Sequence, residues 1–484
     1  MEKSNKSAFC ALLLLTIVRQ FDKISIIVKF DRKILLKEIL EMEKQENGLK
    51  SSLKTRHIVM MSLGGAIGAG LFAGTGSAIA AAGPAVILSY FVSGLILFIV
   101  MHGVGKIVLA QKEKSVGMSG LIAPYVGNRF AHFTDWVYWA TWMAVVVAEA
   151  AAIAQFLQVW WPHVPAWVFY LIVAVLTMGI NLYSVRAFAE TEYWLSWTKT
   201  AVIVVLIILG ILVFADQLFH MGIARGFTQM DTHGGFTPQG MKGIFNSMLI
   251  VIYSYGGSEL AAITVAETEN PKVAIPKAIR GVMFRVVGFY IVPIFLFLEL
   301  YSWKFLATTK ESPFALIFTK FHIPFVANII NLVIIVALFS VINSSIYVTS
   351  RSLYSRSVES KSRIGQFFGK LSGNQVPLRA IIFSSCMLFV GVILSMMFQS
   401  TLFFYVASSI SYTLLVVWLM LLITVIIFYF KNPNVGTIWL KTVSIITLIV
   451  LIAIGIGVIT QNPWGVSVFA VVVCIVSLLS YRKK

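Results

Sequence analysis

The sequence predicts an all-α membrane protein with twelve transmembrane helices, and three observations carry that reading. Of 484 residues, 58% are hydrophobic and 12% charged, against about 45–50% and about 25% in soluble domains. Twelve apolar stretches approach or exceed the roughly 20 residues that cross a bilayer as a helix. Lysine and arginine are divided very unevenly between alternate connections, as the positive-inside rule requires. A mean hydropathy of +0.88 excludes a soluble enzyme and a disordered chain. The net charge of +18 is a topology signal with some attraction to anionic lipid, not the footprint of a nucleic-acid binder.

The predicted spans are 57–80, 84–109, 132–158, 166–184, 193–214, 243–265, 283–302, 325–350, 379–398, 402–430, 438–459 and 464–480. Turns with proline or glycine separate many of them: Ala82-Gly83-Pro84, Trp161-Pro162 to Pro165, and Gln461-Asn462-Pro463-Trp464. With the N-terminus inside, thirty-two Lys and Arg fall in cytoplasmic segments and five outside: Arg225, Lys242, Lys304, Lys310 and Lys320. Both termini are therefore expected in the cytoplasm of a multi-pass protein of the cell membrane. Most tryptophans fall near predicted span ends and read as interfacial anchors.

Residues 56–481 read as one transmembrane domain and residues 1–55 as a cytoplasmic tail. Ala8 to Val18 is an apolar run too short to span, and the charged stretch Asp31 to Lys50 follows it. Met42 can itself open a short N-terminus, so residues 1–41 read either as a peripheral tail or as sequence upstream of the natural start. Cys10, Cys386 and Cys474 are scattered and offer neither a disulfide framework nor a metal site. No cofactor or metal is expected.

Two spans carry features that a purely structural helix avoids. In the first, Leu63-Gly64-Gly65-Ala66-Ile67-Gly68-Ala69-Gly70-Leu71-Phe72 places four glycines in seven residues, each costing about 1 kcal/mol against alanine in a helix. Glycines four apart also serve close helix packing, but this density favours an unwound segment with open N–H groups. In the sixth, Tyr253-Ser254-Tyr255-Gly256-Gly257-Ser258-Glu259 sets a glycine pair and a carboxylate in mid-span. Irregular backbone at that depth survives only where it is buried in protein or lines a cavity. Interrupted segments at matching positions of two halves point to a central binding site. Open N–H groups at one break suit a carboxylate, and bare carbonyls at the other suit an ammonium. A ligand bearing both groups on one carbon, an amino acid, bridges the two.

These stretches resemble those of bacterial amino acid permeases, more narrowly the amino-acid transporter family of the amino acid–polyamine–organocation superfamily. The resemblance rests on Arg56-His57-Ile58 before the first glycine motif, Ala82-Gly83-Pro84, and Glu190-Thr191-Glu192-Tyr193-Trp194 with Lys199. It continues through the sixth-span motif, Ala266-Glu267-Thr268-Glu269-Asn270-Pro271, Ile275-Pro276-Lys277-Ala278-Ile279, and Asn343 to Tyr354. It runs from about Leu53 to near residue 430. It implies a LeuT-like fold, an inverted repeat of five plus five helices with two added helices, and a symporter importing amino acids on the proton gradient. By the same resemblance Gly65, Ala66, Ile67, Gly68, Ala69 and Gly70 bind the substrate carboxylate, and Tyr253, Ser254 and Gly256 the ammonium. Tyr255 and Phe72 are candidate lids, although aromatic residues in spans more often pack. The sequence departs from the family's pattern at Gly105-Lys106-Ile107, where Lys106 replaces a usual Glu and bears on gating or the ion-coupled step. It also departs at Gln111 to Gly120 and at Glu359 to Arg363.

Charges inside spans mark function by default. Lys199 either snorkels to the interface or points inward. The resemblance favours the second, with protonated Lys199 tying the first and eighth spans together and proton loss releasing them. Glu149 in the third span either tunes proton coupling or hydrogen-bonds a neighbouring helix. Glu259 is expected to hold the unwound sixth-span backbone. No phosphate-binding loop, selectivity ring or clustered catalytic set is present in the sequence. The expected partners are an amino acid, protons and the lipid bilayer, with no nucleic acid and no obligatory protein. No acidic residue beyond Glu149 and Glu259 is expected in the first, third, sixth or eighth span, which slightly favours neutral over cationic amino acids. A cationic or GABA-type permease and a non-transporting amino acid sensor are the alternatives.

Overall fold

Long apolar runs punctuated by proline and glycine become helices in the computed structural model. It describes residues 67–111, 117–183, 185–221, 230, 233–259, 271–309, 312–319, 324–358, 362–372, 376–462 and 464–481. Among them every regular element is helical. In chain order these are α1 (Ala69–Phe72), α2 (Gly74–Ala82), α3 (Val86–Ala110), α4 (Gly117–Val126), α5 (Asn128–Gln158), α6 (Ala166–Tyr183), α7 (Val185–Met221), α8 (Gly240–Tyr255) and α9 (Pro271–Arg285). There follow α10 (Val292–Leu300), α11 (Trp303–Thr308), α12 (Pro313–Thr319), α13 (Pro324–Val358), α14 (Arg363–Phe368), α15 (Leu378–Phe398), α16 (Leu402–Lys431), α17 (Ile438–Gln461) and α18 (Trp464–Leu479). Eight stretches among the described residues are long and apolar enough to cross a membrane, and Ala166–Leu182 and Gly465–Leu479 are shorter apolar helices. The tail read at residues 1–55 lies outside the described residues. Of the unit formed by residues 1–51 and 373–376 only Val376 is described, and the helices above belong to the other, residues 52–372 and 377–484.

Burial separates core from periphery. The apolar window of α5 is 83% buried, against 22% for Trp194–Asp216 and 28% for Ile438–Thr460. Around α5 pack α13, α16, α6 and α15, while α8 packs on α2, α3 and α16. Apolar side chains on the outer helices remain uncovered, such as Ile208, Ile449 and Ile456, as lipid contact requires.

Several expectations are corrected. The connection 106–129 contains a helix, α4, packed on α5 and α16. The eighth span extends to Val358. The seventh is reached through α9 and a π-helical turn, Val286–Ile291. Arg285, counted with the cytoplasmic loop, is only 3% exposed and donates from Nη2 to Ser258 Oγ at 3.1 Å. Trp142 and Trp303 are buried core residues, whereas Trp161, Trp194, Trp197 and Trp439 are exposed as interfacial anchors would be.

Asp135, a carboxylate within the predicted third span that the charge reading passed over, is engaged at the start of α5. Arg356 of α13 reaches Asp135 Oδ2 at 2.9 Å, donates to the Asp135 carbonyl at 3.2 Å and lies over the Trp136 ring at 4.8 Å. Both side chains are 22% exposed. A charge-assisted bond contributes about 1.5–3 kcal/mol, so Arg356 does more than complement the α13 dipole. Arg356→Ala is expected to lower the thermal unfolding midpoint of the purified protein in detergent. An unchanged midpoint would show that this clamp adds nothing.

Candidate functional site

The sixth-span interruption follows from its glycines. α8 ends at Tyr255, Gly256 turns to φ −53°, ψ 141°, and Gly257 adopts φ +91°. Side chains with a Cβ resist that conformation, so Gly257 suits the turn in which α8 stops. At the first-span motif, Gly68 is extended (φ −140°, ψ −158°) and the helix begins at Ala69. Gly64, Gly65 and Ala66 lie outside the described residues.

The start of α1 and the end of α8 touch. A Cβ on Gly70 would lie 2.5 Å from Ser254 Cα and 2.9 Å from Ser254 N, so the backbones of α1 and α8 meet because residue 70 has no side chain. A Cβ on Gly68 would lie 2.5 Å from Glu149 Oε1. Both oxygens of Glu149 accept the Ala69 N–H at 3.0 Å, and Oε1 also accepts the Tyr253 hydroxyl at 2.9 Å. A carboxylate from α5 thus joins the start of α1 to the end of α8. Ser254 keeps its hydroxyl on Ile250 O at 2.9 Å, and its own carbonyl accepts from Tyr290 at 2.7 Å.

Between these segments lies a cavity of about 20 Å³, room for about one water molecule. Gly68 and Gly70 line one side, and Tyr253, Ser254, Gly256 and Gly257 another. Glu149, Val145, Trp142 and Thr141 of α5, Val341 of α13, and Ile410 and Leu414 of α16 complete it. Admitting an amino acid therefore requires these walls to move apart. A larger cavity of about 960 Å³ stands alongside, lined by Gly76, Gln155, Phe156, Leu306, Phe404 and Phe72 among others. Phe72 stands two residues from Gly70 at the boundary. Its ring meets Phe314 edge-on at 5.1 Å, and its carbonyl accepts from Ser312 Oγ at 2.8 Å.

Other residues singled out in the sequence fall in different places. Ile67 is buried and absent from the cavity lining. Tyr255 does not line the cavity; its hydroxyl donates to Tyr90 O at 2.9 Å and its ring packs against Tyr90 and Tyr290. It is a packing residue here, the commoner fate of aromatics in spans. Glu259 accepts from Trp418 Nε1 at 3.2 Å, with the peptides of Gly257 and Glu259 against the same carboxyl. Lys199 is 1% exposed, so its side chain is enclosed by protein and does not snorkel to the interface.

Sequence reading did not find the apolar wall. Thr141 and Val145 stand eight and four residues before Glu149 and so share its helix face; the charge itself was the available signal. Ile410 and Leu414 repeat that spacing on α16 but have no polar marker. Trp142, 5% exposed, packs edge-on against Tyr138, and among the described residues its indole N–H makes no hydrogen bond of good geometry.

Among the described residues every element is helical, and the start of α1 and the end of α8 face one small buried cavity; in an apolar chain this describes a membrane carrier of small solutes. Comparison with known proteins gives the class its name: the amino acid permease family matches residues 57–482, and the chain belongs to it. It is 53% identical over 91% of its length to "Aromatic amino acid permease FywP" of Lactococcus lactis subsp. cremoris, covering 98% of that protein. It is 34% identical to "Aromatic amino acid transport protein AroP" of Escherichia coli, over 78% of this chain and 82% of that one. To "Gamma-aminobutyric acid permease" of Bacillus subtilis it is 34% identical over 79% of this chain and 81% of that one. These relatives are transporters, not enzymes.

Proposed function

We propose that this permease imports aromatic amino acids across the cell membrane by proton symport. In this reading it has twelve spans, an inverted repeat of five plus five helices, and both termini in the cytoplasm. The observation that carries it is the meeting of the start of α1 and the end of α8 at one cavity, where the Ala69 N–H is held by a carboxylate. Such a pair suits the carboxylate and ammonium of one zwitterion. The names of the two aromatic permeases support the finer substrate class. So does the wall of Val145, Val341, Ile410 and Leu414, which suits a large apolar side chain.

Gly65 to Gly70 are assigned to the substrate carboxylate, and Tyr253, Ser254 and Gly256 to the ammonium. Lys199 and Glu149 are assigned to proton coupling, and Glu259 to holding the broken backbone. The test is uptake of labelled phenylalanine into proteoliposomes under an imposed proton gradient, with all twenty amino acids as competitors. Concentrative uptake, displaced best by phenylalanine, tyrosine and tryptophan, is the expected result. Binding without uptake would instead identify a sensor.

The indole N–H of Trp142, a residue of the cavity lining, is a donor for a polar atom at the far end of a substrate ring. An unmade buried hydrogen bond costs about 1–3 kcal/mol. Trp142→Phe is accordingly expected to reduce tyrosine uptake about tenfold while leaving phenylalanine uptake within about twofold, each 1.4 kcal/mol being tenfold. Equal losses for both substrates would refute that role.

A further inference from the structure

Glu149 occupies the seat that the proposed reading gives to the substrate. Its two oxygens take the Ala69 N–H at 3.0 Å, the group assigned to the amino acid's carboxylate, and the Tyr253 hydroxyl at 2.9 Å, on the segment assigned to its ammonium. Gly68 gives the carboxylate its close approach, since a Cβ there would stand 2.5 Å from Oε1. The side chain is 2% exposed, and the cavity beside it measures about 20 Å³. The protein's own carboxylate and the two interrupted segments thus form a closed unit.

We propose that Glu149 is an internal stand-in for the substrate carboxylate, which a bound amino acid must displace. The inference rests on the reading of the site under Proposed function. One N–H cannot serve two carboxylates in good geometry, and two anions side by side in a buried site repel. Binding therefore exchanges one carboxylate for another. The substrate arrives at Ala69 as Glu149 leaves, and the link from α1 through Glu149 to Tyr253 is broken in the same event. Opening of the closed unit is then tied to the presence of a ligand with a carboxylate of its own. The apparent affinity is reduced by the fraction of molecules in which Glu149 holds the seat.

The experiment is equilibrium binding of labelled L-phenylalanine to the purified full chain in detergent, comparing the parent with Glu149→Ala and Glu149→Gln. Unlabelled 3-phenylpropanoate, which keeps the carboxylate but lacks the amine, and 2-phenylethylamine, which has the reverse, serve as competitors. Glu149→Ala is expected to bind phenylalanine and 3-phenylpropanoate at least about tenfold more tightly than the parent. Glu149→Gln, which keeps the shape and loses the charge, is expected to lie between them. 2-Phenylethylamine, which does not compete for the seat, is expected to gain nothing. A role in packing alone predicts no gain in affinity for any of the three. Weaker phenylalanine binding in both variants, with unfolding midpoints like the parent's, would overturn the proposal and make Glu149 part of the substrate's own cradle. Failure of the parent to bind any of the twenty amino acids would overturn the reading of the site, a result distinguishable from the first.

Discussion

Gly70→Ala is expected to reduce amino acid uptake to background. The added methyl would lie 2.5 Å from Ser254 Cα and 2.9 Å from its N and Oγ. The first two are backbone atoms, so no rotamer change relieves them, and α1 and α8 must separate at the point where they form the site. Overpacking of this kind costs about 1–3 kcal/mol, and at the upper end a roughly hundredfold loss follows from 1.4 kcal/mol per decade. Gly455→Ala is the matched control, because a Cβ there meets nothing within 4 Å and alanine is favoured in a helix by about 1 kcal/mol. The measurement is initial uptake normalised to the amount of protein in the membrane. Full uptake by Gly70→Ala would show that the contact between the two interrupted helices is not needed.

Lys199→Met is expected to abolish accumulation above equilibrium while exchange of internal for external substrate continues. Lys199 is 1% exposed on a helix that packs against α13, and a buried ionisable group inside a span is functional by default. Methionine keeps the length of the stem and removes the charge, so packing losses are small. A carrier that binds substrate but cannot couple to protons runs only to equilibrium, and the internal-to-external ratio should fall to about one. The ratio in proteoliposomes with an imposed proton gradient checks this, with counterflow showing that the variant still carries substrate. Undiminished accumulation by Lys199→Met would remove Lys199 from the coupling mechanism.

Much of this arrangement was legible in the residues, because a membrane leaves few options. Backbone groups in lipid must be satisfied within a helix, so apolar length marked the helices and Gly256-Gly257 marked the place where one had to stop. Gly68 and Gly70 were legible for the same reason, as small residues where two backbones and a carboxylate approach. The wall of the cavity was less legible. Val145 and Thr141 are ordinary span residues, and only their spacing from Glu149 distinguishes them. Val341, Ile410 and Leu414 come from helices far apart in the chain, and which of their faces turns inward is settled by packing. Arg285 shows the opposite failure. It stands at the end of a basic connection, yet it is buried and donates to Ser258 Oγ inside the protein, and a hydrogen-bonded charge can be buried where a lone one cannot. Trp142 carries no signal of its own, because tryptophan is common at interfaces, whereas here its ring walls the cavity.

In the proposed mechanism the backbone at Gly68–Gly70 and at Gly256-Gly257 holds one amino acid between the two segments. A structure of the protein with phenylalanine bound tests it most directly. The expected result is density between Gly68–Gly70 and Ser254–Gly257, with the carboxylate on the Ala69 N–H, Glu149 moved away from it, and the ring against Trp142 and Ile410. Phenylalanine bound only in the wide cavity above Phe72, with Glu149 still on Ala69 and the two interruptions unchanged, would contradict it.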